Sequence, residues 1–209
     1  FDNFKYLKEY CKKIKIKFLS TPFDIESAKF LNSIDVKIFK ISSGDLDNFH
    51  LLNEIKKFNK PIILSTGLAK NNNQIKKTLK FLNYNRKKIA LLHCVSQYPV
   101  DYKYSNLSKI IDLKKFKMIV GYSDHTLGNL SSVISVALGA QIIEKHITLD
   151  KRMKGPDHKA SLEKSELKSF VKEIRETYEM INIKEKLVLT DIKKLVSRKL
   201  FFFENLPAN

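Results

Sequence analysis

Short, nearly unbroken apolar runs alternate along the chain with longer stretches in which apolar residues recur every three or four positions. The runs are Ile14 to Leu19, Val36 to Ile41, Pro61 to Leu64, Ile89 to His93, Met118 to Gly121 and Gln141 to Glu144. They are short and rich in Ile, Val and Leu, the pattern of a parallel strand covered on both faces. The stretches between them predict amphipathic helices. Ile25, Ala28, Leu31 and Ile34 form one stripe, and Leu51, Leu52, Ile55 and Phe58 a second. Ile75, Leu79 and Leu82 follow, then Leu107, Ile110, Ile111 and Leu113, then Leu130, Val133, Ile134, Ala137 and Leu138. A last helix, from about Ser165 to Met180, carries Leu167, Phe170, Val171 and Ile174. Ser105, with Ser108 in the first turn, opens the fourth crossover helix, and Gly139 closes the fifth.

The runs recur at intervals of roughly 21 to 28 residues, the period of a βα unit. A doubly wound sheet would carry a glycine-rich turn after an early strand, and no G-x-G-x-x-G is present. Regular spacing and polar residues at almost every strand end favour a (β/α)8 barrel of the TIM type, incomplete here at about six βα units. On that reading the runs are strands three to eight, and two strands belong before Phe1. Residues 1–181 form the partial barrel. From 182 to 209 the character changes, with Leu200-Phe201-Phe202-Phe203 lacking any partner in the pattern, as in a linker toward a further domain.

Composition narrows the class. The 209 residues are 43% apolar, without a long uncharged apolar stretch, so no membrane span is expected. The first residues already read as a helix in progress. Cys11 and Cys94 match no metal-ligand spacing and read as reduced thiols of a cytoplasmic protein. The formal charge of +17 comes from lysines scattered over nearly every predicted helix. Dispersed in this way, the charge does not make a nucleic-acid interface, but its field attracts anionic small substrates.

Chemistry in a parallel barrel sits at the C-terminal ends of the strands. Those ends are Ser20-Thr21-Pro22, Lys40-Ile41-Ser42-Ser43-Gly44-Asp45, Ser65-Thr66-Gly67, His93-Cys94-Val95-Ser96, Gly121-Tyr122-Ser123-Asp124-His125 and Glu144-Lys145-His146. Hydroxyls beside Gly or Pro suit phosphate or carboxylate. Of the five histidines, His93, His125 and His146 fall here. His125 and His146 end adjacent strands, so they can share a divalent cation and leave positions open for substrate. Asp124 and Glu144 beside them could orient an imidazole or accept a hydrogen bond from metal-bound water. His93 lies further back within its strand, where core packing or orientation and a direct role stay equally open. Lys40 is a Schiff-base nucleophile or an anion clamp, and the hydroxyls around it favour the clamp. Asp157, in the loop after the last strand, can fold over the mouth toward a hydroxylated substrate. A rim for phosphate, carboxylate and a divalent cation fits a phosphoenolpyruvate-type substrate.

The stretches FLSTPFD, KISSGD, PIILSTG, LLHCVSQYP, VGYSDHT, ALGAQIIEKHITLD and GPDHKAS together resemble the sialic acid synthase family. These are the phosphoenolpyruvate-dependent synthases of N-acetylneuraminate and related nonulosonic acids. The resemblance implies a (β/α)8 barrel that condenses phosphoenolpyruvate with an N-acyl hexosamine, such as N-acetylmannosamine, and releases phosphate. It implies a divalent cofactor, usually manganese, with magnesium or cobalt as alternatives. His125 and His146 would be the metal ligands, and Thr21, Lys40, Ser43, Ser96 and Ser123 the phosphoenolpyruvate contacts. Asp45 and Asp157 would face the sugar, and Lys40, Asp45, Asp157 and Glu144 are the expected catalytic residues. Ser96 stands where some members have Asn, and Asp45 where some have Glu, which leaves open a sugar other than N-acetylmannosamine. Ser197-Arg198-Lys199-Leu200 resembles the joint to a C-terminal antifreeze-like domain, and the full-length form would be a homodimer. The alternative is a non-catalytic remnant that retains anion and metal binding.

Overall fold

The computed structural model describes residues 1–83 and 85–182. Helices α1 (Asp2–Lys13) and α2 (Ile25–Ser33) precede strand β1 (Phe39–Ile41). Then α3 (Phe49–Lys57), β2 (Ile62–Ser65), α4 (Asn72–Leu82), β3 (Ile89–Cys94), α5 (Ser108–Lys114) and β4 (Ile119–Asp124) alternate. The series ends with α6 (Leu130–Ala137), β5 (Ile142–Lys145) and α7 (Lys164–Ile181). The strands form one sheet in the order β1-β2-β3-β4-β5, every neighbouring pair parallel.

The sheet is curled. Strands four places apart in a flat sheet would lie about 19 Å from each other. Yet Lys40 Nζ on β1 reaches within 3.4 Å of a Glu144 carboxylate oxygen on β5, so the two outer strands face one another across a half-barrel. Alternation along each strand then sorts the residues. Phe39, Ile41, Ile62, Leu64, Ile89, Leu91, Val120 and Tyr122 are all buried in the apolar core with Ala28, Leu31, Leu51, Leu52, Ile55, Ile75, Leu82, Ile110 and Leu113 of the helices. The intervening residues, among them Lys40, Ser65, Ser123 and Glu144, contact each other on the concave face.

The βα repeat recurs in its turns. Lys15, Asp35, Asn59, Asn83, Lys117 and Gly139 follow the first six helices, and each has a positive φ. That left-handed residue is a common way to end a helix and free the chain for the next strand. At φ 102, Gly139 is the one of the set that side chains would strain most.

Three expectations are corrected. The run Ile14 to Leu19 is not a strand: Lys15 turns the chain at φ 60, and the segment beyond it is irregular. A groove of about 560 Å³ lies between residues 16–19 and 35–38, so the run has no ladder partner and leaves Ile16 60% exposed. The stripe expected on α6 is also on the wrong face. Leu130 and Ile134 are exposed, while Ser131, Ser132 and Ser135 are buried; Ser132 donates inward to Asp124, and Ser135 donates to the Ser132 carbonyl of its own helix. Finally, Ser105 does not open a helix; α5 begins at Ser108, and the Ser105 hydroxyl donates to the Tyr102 carbonyl. Apart from Asn182, the expected linker over 182–209 lies outside the described residues.

Candidate active site

The C-terminal ends of β1, β2, β4 and β5 converge on one polar cluster. The Lys40 ammonium donates to Ser65 Oγ at 2.9 Å and pairs with Glu144. Ser123 Oγ donates to the other Glu144 oxygen at 2.6 Å and lies 3.3 Å from His125 Nε2. The Lys40 side chain is only 10% exposed. Held between a hydroxyl and a carboxylate, it is a paired, hydrogen-bonded cation rather than a free amine. At the rim, the Ser43 and Ser96 hydroxyls lie 3.3 Å apart, bringing the ends of β1 and β3 together.

His125 and His146 face each other with ring centres 5.4 Å apart. His125 Nδ1 lies 2.7 Å from the Val95 carbonyl, so that nitrogen carries the proton and Nε2 keeps its lone pair. Burial lowers the pKa of His125, and the neighbouring His146 lowers it further, against the pull of the Val95 carbonyl. Ser123 has one hydroxyl proton, directed to Glu144, so the lone pair on Nε2 meets another lone pair. A cation between the rings would resolve that conflict. With metal–nitrogen bonds of about 2.1 Å, rings sharing one ion have centres about 5 Å apart. The pair therefore fits a divalent ion. No cluster of three or more His, Cys, Asp or Glu side chains suited to a metal occurs among the described residues.

The remaining expected residues divide. Burial raises the Tyr98 phenol's pKa, and the electrostatics of Asp157 and Glu144 raise it further. Asp45 has both oxygens engaged locally, by Ser42 Oγ at 2.7 Å and Asn48 Nδ2 at 3.0 Å. Thr21 lines a small pocket with Phe1, Phe4, Ser27 and Phe30. Among the described residues no hydrogen bond or ion pair joins Thr21 or Asp45 to the Lys40 cluster. Asp124 points away from the site, into the layer between β4 and α6, where it accepts from Ser132 Oγ. His93 is buried, with its ring stacked on Tyr122 and Nε2 2.7 Å from the Ser105 carbonyl, an orienting place.

Sequence reasoning missed Tyr98, whose ring centre lies 4.1 Å from that of His125 and 5.7 Å from that of His146. The available signal was an aromatic residue in the loop directly after a strand carrying rim residues. Burial raises the pKa of the free thiol Cys94, leaving an inert residue beneath the cluster.

A curled parallel sheet with hydroxyls, a buried lysine and an imidazole pair on its concave face defines part of an α/β barrel, a fold class whose active sites gather at those strand ends. The chain belongs to the NeuB family, whose sequence pattern it matches over residues 1–186. It is 52% identical over 176 residues to the N,N'-diacetyllegionaminic acid synthase of Campylobacter jejuni, covering 82% of this chain and 52% of that protein. It is 39% identical to the N-acetylneuraminate-9-phosphate synthase of Drosophila melanogaster, covering 81% of this chain and 46% of the relative. The crystal structure of the N-acetylneuraminic acid synthetase of Leptospira borgpetersenii matches with a TM-score of 0.85 at 35% identity, over 93% of this chain and 68% of that one. The chain spans about half the length of the curated relatives it matches. No helix among the described residues is long and apolar enough to cross a membrane.

Proposed function

We propose that this chain carries the reaction centre of a phosphoenolpyruvate-dependent synthase that joins phosphoenolpyruvate to an N-acyl hexosamine, giving a nonulosonic acid and phosphate. The observation that carries the reading is the cross-barrel cluster of Lys40, Ser65, Ser123 and Glu144 beneath the facing imidazoles of His125 and His146. Synthases of this product class among its relatives support it.

Lys40 and the hydroxyls of Ser43, Ser96 and Ser123 suit the phosphate and carboxylate of phosphoenolpyruvate. Tyr98 and Asp157 stand on the outer side, where the sugar would enter. The C3 carbon forms the new bond to the sugar's aldehyde carbon, whose oxygen takes a proton, and water adds at C2. Glu144, placed between Ser123 and Lys40, is the carboxylate positioned to take the proton that the water loses. The C2–O bond to phosphate then breaks, leaving a keto acid and inorganic phosphate. A divalent ion, manganese above magnesium or cobalt, would be held by His125 and His146 and would polarise the aldehyde as a Lewis acid.

The reading is tested with phosphoenolpyruvate labelled at its bridging oxygen, incubated with N-acetylmannosamine or a diacetamido hexosamine. Sugar-dependent release of phosphate that carries the label is expected, with a large loss in Glu144→Gln. Label retained in the sugar acid would contradict C–O cleavage. Phosphoenolpyruvate binding without turnover under every condition would support the remnant reading.

A further inference from the structure

At the end of the β4–β5 ladder three successive residue pairs, the last just past the paired register, alternate between the two faces of the sheet. Ser123 stands opposite Glu144 on the concave face, joined at 2.6 Å. Asp124 stands opposite Lys145 on the helix face, paired at 3.1 Å with side chains 0% and 3% exposed. His125 and His146 come next, on the concave face again. The paired register ends at Asp124 and Lys145, so the imidazoles project from residues just beyond the last ladder pair.

The buried pair also reaches past that end. Lys145 Nζ donates to the Thr126 carbonyl at 2.5 Å, so one ammonium holds both residues that flank His125. The Asp124 carboxylate accepts from the Thr126 N–H and hydroxyl, each at 2.8 Å, closing a tight turn around His125. Its other oxygen accepts from Ser132 on α6 at 2.6 Å. This accounts for the inward-facing Ser132 on α6, where an apolar stripe was expected.

We propose that Asp124 and Lys145 are positioning residues that act through the backbone, fixing His125 and His146 at the separation a divalent cation requires. A slip of one residue between β4 and β5 would bring Asp124 or Lys145 to the concave face and carry an imidazole away from it. A buried ion pair is a weak source of stability but a good specifier of register, since its partners tolerate no other arrangement. The inference rests on the assignment of the two imidazoles as cation ligands.

The pin and a simple field effect predict opposite signs. Lys145 is a cation near the site, so removing its charge should strengthen cation binding if only the field mattered. If the pair positions the ligands, removal weakens binding by about 10–100-fold, as for other groups that orient metal ligands. The test is titration of the full chain with Co2+, followed by its visible absorption bands. The variants are Lys145→Met, Asp124→Asn combined with Lys145→Met, and His146→Ala, with thermal melts in parallel. The double variant leaves no unpaired buried charge, so it should melt nearer to wild type than Lys145→Met while still binding Co2+ weakly. Ser132→Ala leaves every charge in place and should weaken Co2+ binding a few-fold. Co2+ binding as tight as wild type in the double and Ser132→Ala variants would overturn the pin alone, as would tighter binding in Lys145→Met. A wild-type chain that does not bind Co2+, or binds it unchanged in His146→Ala, would overturn the imidazole assignment and the pin together.

Discussion

His93 and His125 sit on opposite faces of the sheet, and both are neutral by design of their surroundings. Burial depresses the pKa of His93 from its ordinary value of 6.5, against the hydrogen bond it makes to the Ser105 carbonyl. The unfolded chain therefore binds a proton at His93 before the folded one does. Stability is fully present above about pH 6.5 and falls as the pH drops below it toward the folded-state value. Chemical unfolding of His93→Gln, which can keep the hydrogen bond to Ser105, should show a shallower loss of stability between neutral and mildly acidic pH than wild type. Parallel profiles would remove His93 from the account. At this scale the facing imidazoles were legible in the sequence, because two histidines ended adjacent strands. The opposite orientations of Asp124 and Glu144 were not, since each is simply an acid one or two residues before a histidine, and only the register decides which face it takes.

Elements were legible wherever hydrophobic burial alone builds them. β1 to β5 fall within or beside the expected runs, because a parallel strand covered on both faces must be apolar almost throughout. The reading failed where hydrogen bonding decided the outcome. Ile14 to Leu19 had a strand's composition but lacks a paired neighbour, and α6 turned Ser132 inward to Asp124. Close approach is a further element-level demand hidden in single letters. A Cβ on Gly121 would lie 2.4 Å from the Ile142 carbonyl oxygen and 2.5 Å from Leu92 Cδ2. Gly121→Ala should thus force β4 from β5 and cost about 1–3 kcal/mol in denaturant unfolding. A change within a few tenths of a kcal/mol would show that the strands are not so tightly joined.

For the whole molecule, the half-barrel collects residues from separate βα units onto one concave face, which is why Lys40 and Glu144 can meet. The chain carries a formal charge of +17, and a net positive charge draws small anions toward a protein. Phosphoenolpyruvate, a small anion, should bind faster at low than at physiological ionic strength, where the screening length falls to about 8 Å. Stopped-flow association across a salt series would test this; a salt-independent rate would remove steering. The central claim is tested most directly by crystals of the chain grown with Mn2+ and phosphoenolpyruvate, with data collected for the anomalous signal of manganese. The expected result is a manganese peak within bonding distance of His125 Nε2 and the His146 ring, with the phosphoenolpyruvate anion against Lys40, Ser43 and Ser96. Manganese elsewhere, or an anion that avoids Lys40, would contradict it.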